Sequence, residues 1–186
     1  MKPILINALV FQAGWLICVI AGANHLPWLG TATALLIVTW HISSAVDARK
    51  ELALILIAGG IGAIWDSLLV FAGWLQYPSG TLVEGTAPHW IIAMWLLFAT
   101  TLNVSLKWLK QRLPLAAVLG AISGPAAYFA GYKLGGVQIP DMVIAMSTLA
   151  VGWSVFMPLL MSLSNHFDGM RMQPAPPQVA GWSTHV

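Results

Sequence analysis

Six long apolar runs, separated by short polar or Pro- and Gly-containing segments, dominate the pattern of the chain. Each run approaches the about 20 residues that an α-helix needs to cross the hydrocarbon of a bilayer. Membrane barrel strands would instead be about ten residues long, with strict apolar and polar alternation. The pattern predicts an all-α integral membrane protein with six transmembrane helices, over Ile4–Ala23, Trp28–Val46, Leu52–Gln76, His89–Leu106, Pro114–Leu134 and Met142–Leu163.

Composition supports this class, because 59% hydrophobic and 8% charged residues leave too little polar surface for a soluble globule. The 186 residues leave no room for a separate soluble domain beside six spans. We expect one transmembrane domain over residues 1–163. Residues 164–186 contain Pro174, Pro176 and Pro177 and lack a helical period, which predicts a flexible cytoplasmic tail.

Basic residues fall mainly at one side of the predicted bundle, which indicates its orientation. Only Lys133 lies near the opposite face, so both termini are expected in the cytoplasm of a bacterial inner-membrane protein. The alternative, a cleaved signal peptide at the N-terminus, is disfavoured by a long apolar run that carries Asn7 and Gln12. The residues on the N-terminal side are Lys2, Arg49, Lys50, Lys107, Lys110, Arg112 and Arg171.

Asp66 is the main candidate for a functional site, because it interrupts the third apolar run near its middle. A carboxylate at that depth costs roughly 2.5–3.5 kcal/mol to insert and must face protein or water. Counting residues from the cytoplasmic ends places Tyr128 at a similar depth and His89 within about a turn of it. Lys133 lies five residues after Tyr128. Trp65, which precedes Asp66, is either a core-packing residue or part of the wall of a ligand cavity.

A short phrase of small and aromatic residues recurs in the odd-numbered runs, as Ala13-Gly14-Trp15, Ala72-Gly73-Trp74 and Ala130-Gly131-Tyr132. The recurrence suggests three tandem helical hairpins, although the chain's many tryptophans could also produce it by chance. If the repeat is real, Asn7 and Asp66 occupy equivalent positions and could contribute to one polar ring.

Several classes of function lack their sequence signals. The five histidines show no metal-ligand spacing and Cys18 is alone, so neither a metal site nor a cofactor is expected. The net charge of +2 is small and its basic residues are spread, which does not indicate nucleic-acid binding. We expect membrane lipids, a small amphipathic ligand and further copies of the chain as partners.

Four blocks of the sequence resemble those of a bacterial inner-membrane family catalogued only as a domain of unknown function. The blocks are Leu5-Ile6-Asn7 with Phe11-Gln12-Ala13-Gly14-Trp15, Trp65-Asp66-Ser67-Leu68-Leu69, Thr100-Thr101-Leu102-Asn103-Val104-Ser105-Leu106, and Gly124-Pro125-Ala126-Ala127-Tyr128-Phe129-Ala130-Gly131. The resemblance implies a small multi-spanning fold and leaves the activity open. By matching position, it singles out Asn7, Gln12, Asp66, Asn103, Tyr128 and Lys133.

Three functional hypotheses follow. The first is a membrane protein that binds or moves a small apolar or amphipathic molecule at an intramembrane site around Asp66. The second is a lipid-modifying enzyme or accessory factor that uses Asp66, Tyr128 and Lys133 as acid and base. The third is a structural membrane subunit in which Asp66 holds helices together.

Overall fold

The structure, a computed structural model, describes residues 2–171. The regular elements of these residues are helical, which confirms the predicted all-α fold. They are α1 Lys2–Ala23, α2 Pro27–Ser43, α3 Ala48–Phe71, α4 His89–Ala99, α5 Leu113–Lys133 and α6 Met142–His166, with a short 3-10 helix at Lys107–Leu109.

Four of the helices, α1, α3, α5 and α6, are long enough and apolar enough to cross a membrane. The shorter α2 and α4 have 17 and 11 residues. At 1.5 Å per residue, α4 is only about 16 Å long, roughly half the thickness of a bilayer's hydrocarbon. The structure thus supports a membrane-type helical protein, while the six-span topology and the cytoplasmic termini stay predictions.

Helix starts follow the local sequence. The side chain of Asp47 accepts a hydrogen bond from the backbone N–H of Lys50 at 3.2 Å and caps α3, and Asp141 caps α6 through Ile144 at 2.9 Å. The bond from Lys50 stabilises the ionised carboxyl and lowers the pKa of Asp47. These caps satisfy backbone donors at the first turn, which the helix itself leaves unpaired.

The fourth predicted span, His89–Leu106, is helical only as far as Ala99, and the rest of it is a series of tight turns. The hydroxyls of Thr100 and Thr101 each donate to a carbonyl three residues earlier, at 2.7 Å. Such local bonds compete with the regular helix, and β-branched residues are also poor helix formers. Irregular backbone at membrane depth must be enclosed by protein, and Thr100, Thr101 and Leu102 are buried.

Helix α4 is the centre of the bundle. It packs against α1, α2 and α3, and all of its residues are buried or half-buried. Glycines make this close approach feasible, since a Cβ at Gly62 would lie 2.0 Å from the ring of Trp95 and one at Gly22 2.7 Å from the ring of Trp90. The bulky side chains of α4 therefore fit against small residues of the longer helices.

Consecutive helices form three packed pairs, α1 with α2, α3 with α4 and α5 with α6, which agrees with the predicted hairpins. The recurring phrase does not occupy equivalent places in them. Gly14 lies in the middle of α1, Gly131 lies near the end of α5, and Gly73 lies beyond α3 with a φ of 75°. The phrase is therefore no guide to equivalent positions among the hairpins.

The connection from residue 72 to residue 88 folds back over one end of the bundle. Gln76 and Gln138, which lies between α5 and α6, exchange backbone hydrogen bonds of 3.0 and 2.7 Å. The Ser79 hydroxyl donates to the carbonyl of Gly22 at 2.6 Å, and the backbone N–H of Ala87 donates to the Ser67 hydroxyl at 3.0 Å. This connection is consequently a cap on the bundle, attached to α1, α3 and the α5–α6 connection.

The predicted tail begins too early. Helix α6 continues to His166, and Ser164 and Gly169 are buried against the rest of the protein. The remaining part of the predicted tail, residues 172–186, lies outside the described residues.

Candidate functional site

Asp66 lies on α3 with no solvent exposure, and three hydrogen-bond donors converge on its carboxylate. Its Oδ1 accepts from the hydroxyls of Tyr77 at 3.0 Å and Tyr128 at 2.7 Å, and its Oδ2 accepts from the indole Nε1 of Trp95 at 2.7 Å. An indole N–H can only donate. Within residues 2–171 no cation pairs with Asp66, so its hydrogen-bond partners there are all neutral groups.

The three donors come from different elements. Trp95 is on α4, Tyr128 is on α5, and Tyr77 belongs to the cap formed by residues 72–88. Depth counting from the sequence predicted the level of Tyr128, and the two side chains are in contact. Nothing in the sequence indicated Tyr77, because a residue of a connecting segment gives no sign that the segment folds back into the bundle.

Aromatic packing fixes the position of Trp95. Its ring stacks on Trp153 of α6 with centroids 4.8 Å apart and planes 13° apart. Trp153 in turn packs on Gly124, where a Cβ would lie 2.3 Å from its ring. Glycines on two helices, Gly62 of α3 and Gly124 of α5, therefore leave room for the two indole rings. The Nε1 of Trp153 is enclosed and has no hydrogen-bond partner among the described residues.

A cavity of about 400 Å³ adjoins this cluster. It lies between α1 and α5, which make few contacts with each other. Side chains of α4 and Trp153 of α6 also line it, and Tyr77 of the cap closes one end. Besides two phenylalanines, its aromatic walls are Trp15, Trp90, Trp95, Trp153, Tyr77 and Tyr128. All three donors to Asp66 thus line the cavity, and Asp66 stands behind them.

The other predicted residues divide between the cavity and distant places. Gln12 lines the cavity, as does Ser123 across from it on α5. Asn7 does not, since its Nδ2 donates to the carbonyl of Thr100 at 3.1 Å and its Oδ1 accepts from Ser105 N at 3.3 Å. Asn7 supports the irregular end of α4, and the predicted polar ring with Asp66 is wrong.

Trp65 points to the opposite side of α3. It packs edge-on against Phe156 of α6 at 4.9 Å and lines a separate, shallower groove between these helices. His89 is also outside the cavity. Its Nδ1 lies 2.7 Å from the Thr31 hydroxyl, and its ring stacks on that of Trp28 with the ring centroids 4.1 Å apart. Neither side chain hydrogen-bonds to the carboxyl group of Asp66, whose partners are Tyr77, Trp95 and Tyr128.

Lys133 is exposed, with its Nζ 5.2 Å from the ring centre of Phe129 and 5.7 Å from that of Tyr132. Its long side chain thus lies along the outer surface of α5, a position that avoids burying the charge. The grouping of Lys133 with Asp66 and Tyr128 as acid and base is not supported by this arrangement.

Asn103 belongs to a second buried polar cluster, at the end of the bundle remote from the cap. Its Nδ2 donates to Oε2 of Glu51 at 2.8 Å, and its Oδ1 accepts from Nζ of Lys110. Oε1 of Glu51 lies 2.8 Å from Nε2 of His41, and Nζ of Lys110 pairs with Asp168 at 2.8 Å. We call these five residues the Glu51 cluster. It joins α2, α3, the turns after α4 and the end of α6.

Within residues 2–171, no group of three or more His, Cys, Asp or Glu side chains is arranged to hold a metal ion. The sole cysteine, Cys18, is buried and donates to the carbonyl of Gly30 at 3.3 Å. Burial and this local bond make it a packing residue of the α1–α2 pair.

These features define a small all-helical protein with membrane-type helices and an aromatic cavity beside a buried carboxylate. The chain belongs to the family described as "Protein of unknown function (DUF2878)", whose model matches residues 4–159. This match agrees with the resemblance carried by the four sequence blocks. No curated protein and no solved structure matches the chain.

Proposed function

We propose that this protein is a polytopic membrane protein that binds a small apolar or amphipathic molecule in the cavity between α1 and α5. The observation that carries the proposal is the cavity itself, about 400 Å³ in volume and lined chiefly by aromatic and small residues. Pockets of roughly 300–1,000 Å³ with apolar walls and a few polar groups are typical of small-molecule sites. A volume near the lower end of that range favours a small ligand.

Asp66 acts in this proposal by positioning the walls. It holds Tyr77, Trp95 and Tyr128 together, and each of these side chains lines the cavity. Because Tyr77 belongs to the cap and Tyr128 to α5, their shared acceptor connects the cap to one side of the cavity. A ligand that separated or rearranged these donors would change the position of the cap.

For the topology, we propose that all six helices cross a bacterial inner membrane with both termini in the cytoplasm. The basic residues on the N-terminal side support this orientation. The 100–106 turns, enclosed by protein, would complete the crossing begun by the short α4. Since three hairpins are few for a complete transport path, movement of the ligand would require an oligomer, whereas binding would not.

The cavity can be filled without touching Asp66. Both Ala126 and Ala127 of α5 are exposed, but only Ala127 belongs to the lining of the cavity. Ala127→Phe should occupy the space of the ligand, and Ala126→Phe is the matched control on the same helix. Both proteins are to be extracted with their native membrane, and the co-purified small molecules are then identified by mass spectrometry.

We expect wild type and Ala126→Phe to retain one enriched compound that Ala127→Phe has lost. If the three proteins carry the same compounds in the same amounts, the cavity binds no ligand and the proposal fails. The structural-subunit hypothesis would then be the better account of Asp66.

A further inference from the structure

Among residues 2–171 the buried carboxyl group of Asp66 has no cationic partner, although it lies next to a cavity. Within residues 2–171 its only ligands are two hydroxyls and an indole N–H, and no Lys, Arg or His side chain lines the cavity. Lys133, the basic residue on the same helix as Tyr128, lies instead over Phe129 and Tyr132 at the surface. When Asp66 is ionised, its negative charge is therefore solvated by neutral dipoles but not neutralised by a described side chain.

The walls of the cavity suit one kind of partner for that charge. Eight of its 19 lining residues are aromatic, and four of these are tryptophans. The faces of aromatic rings attract organic cations, tryptophan most strongly, and the attraction grows when water is excluded. Aromatic enclosures of this type recognise quaternary ammonium groups.

An inorganic cation fits the same cavity poorly. Metal ions of the alkali and alkaline-earth groups require several oxygen ligands. Both carboxylate oxygens of Asp66 already accept hydrogen bonds, and the other polar side chains of the lining, Gln12 and Ser123, are isolated on opposite helices. A cation that brings its own apolar surface needs no such ligands.

We infer that the ligand of this cavity is a lipophilic organic cation, held by the aromatic walls and by the field of Asp66 acting through the residues that bind it. The inference rests on the proposed function and names its ligand class. A unit charge several ångströms away acts strongly in a site of low dielectric, so the charge of Asp66 should change cation affinity by roughly tenfold or more. A neutral ligand of the same shape should be indifferent to that charge.

The test compares two probes of equal shape, benzyltrimethylammonium and its uncharged carbon isostere, neopentylbenzene. Binding to the protein in nanodiscs of zwitterionic lipid is followed through tryptophan fluorescence. Wild type should bind the cation at least about tenfold more tightly than the isostere. Asp66→Asn should remove that preference while the affinity for the isostere stays within about twofold, since the charge alone has been removed.

Further variants separate the possible failures. Ala127→Phe should weaken binding of both probes, and Ala126→Phe should weaken neither. If wild type binds the isostere as well as the cation, and Ala127→Phe abolishes both, the inference of a cation is wrong and the proposed function stands. If Ala127→Phe changes neither, both are wrong.

The comparison of the two probes on wild type tests the charge preference even if Asp66→Asn fails to fold. Trp15→Leu then supplies the second variant, because it removes an aromatic wall without touching the Asp66 cluster. It should weaken the cation several-fold more than the isostere. Equal weakening of the two probes would overturn the role of the aromatic walls.

Discussion

Helix α3 carries two fully buried carboxylates whose surroundings differ in kind. Glu51, near its first turn, faces the imidazole of His41, the amide of Asn103 and the backbone N–H of Gly169, with the Lys110–Asp168 pair directly behind. Asp66, four turns later, faces only neutral donors and an adjacent cavity. The Glu51 cluster has the partners that a structural charge requires, whereas no cation pairs with Asp66 in the part of the chain that the structure describes.

Under the proposed function, this difference makes Asp66, and not Glu51, the carboxylate that can respond to a ligand. A buried charge with a complete set of partners fixes helices in place, and removing one partner is costly. A buried charge beside open space can still gain a partner. The sequence does not reveal this difference in surroundings. It shows that Asp66 lies within an apolar run and that Glu51 lies in a polar segment, but not which partners either carboxylate has.

The largest effect is expected for Glu51→Ala. It leaves His41, Asn103 and the Gly169 N–H without their acceptor in a buried site, and we expect a loss of about 3–5 kcal/mol in the free energy of unfolding. Denaturation of the purified protein in detergent measures this. Glu84→Ala is the control, because Glu84 is exposed in the cap. Equal stability of the two variants would contradict a structural role for the Glu51 cluster.

Asp66→Asn should cost less stability, about 1–3 kcal/mol. The amide keeps one acceptor oxygen but presents an N–H group where the carboxylate accepted a bond, so one donor is left unpaired. The same denaturation assay gives the value, and the loss of ligand should exceed what this destabilisation explains. A variant with unchanged ligand content and a stability loss equal to that of Glu51→Ala would make Asp66 a structural residue as well.

Tyr77→Phe and Tyr128→Phe should each cost about 0.5–1.5 kcal/mol, because each removes one hydrogen bond to Asp66. Tyr132→Phe is the matched control, as Tyr132 is exposed on the same helix as Tyr128. The two losses should not add in the double variant, since both hydroxyls share Oδ1 of Asp66. Additive losses would show that the cap and α5 are not coupled through Asp66.

The smallest effect is expected for Lys133→Gln. An exposed side chain away from the cavity should change stability by less than about 0.5 kcal/mol and leave the co-purified compounds unchanged. Loss of ligand or of any lipid-modifying activity in this variant would revive the hypothesis that Lys133 works with Asp66 and Tyr128.

The sequence predicted the helical class and the central polar residue because both depend on local pattern. An apolar run is sufficient to indicate a membrane-type helix, and an acidic side chain inside such a run must face protein or water. Depth counting then placed Tyr128 at the level of Asp66, because every α-helix rises by the same distance per residue. Gln12, which the family resemblance singled out, lies in the lining of the cavity.

What the sequence could not predict depends on contacts between distant segments. Tyr77 reaches Asp66 because the cap folds back, and Asn7 supports the end of α4 rather than the cavity. Lys110 was assigned to the cytoplasmic surface by its charge but lies buried in the Glu51 cluster. None of these positions follows from period, propensity or charge balance along the chain.

The short, enclosed α4 has a consequence for how the protein is made. A segment of about 16 Å that ends in irregular turns cannot stand alone in lipid, because its unpaired backbone groups would lie in hydrocarbon. If this segment crosses the membrane as proposed, it must enter together with neighbouring helices or after they are in place. Under the proposed topology the biogenesis of this bundle would be ordered: the four longer helices could insert as independent units, and the segment from His89 to Leu106 would be stable only in their company.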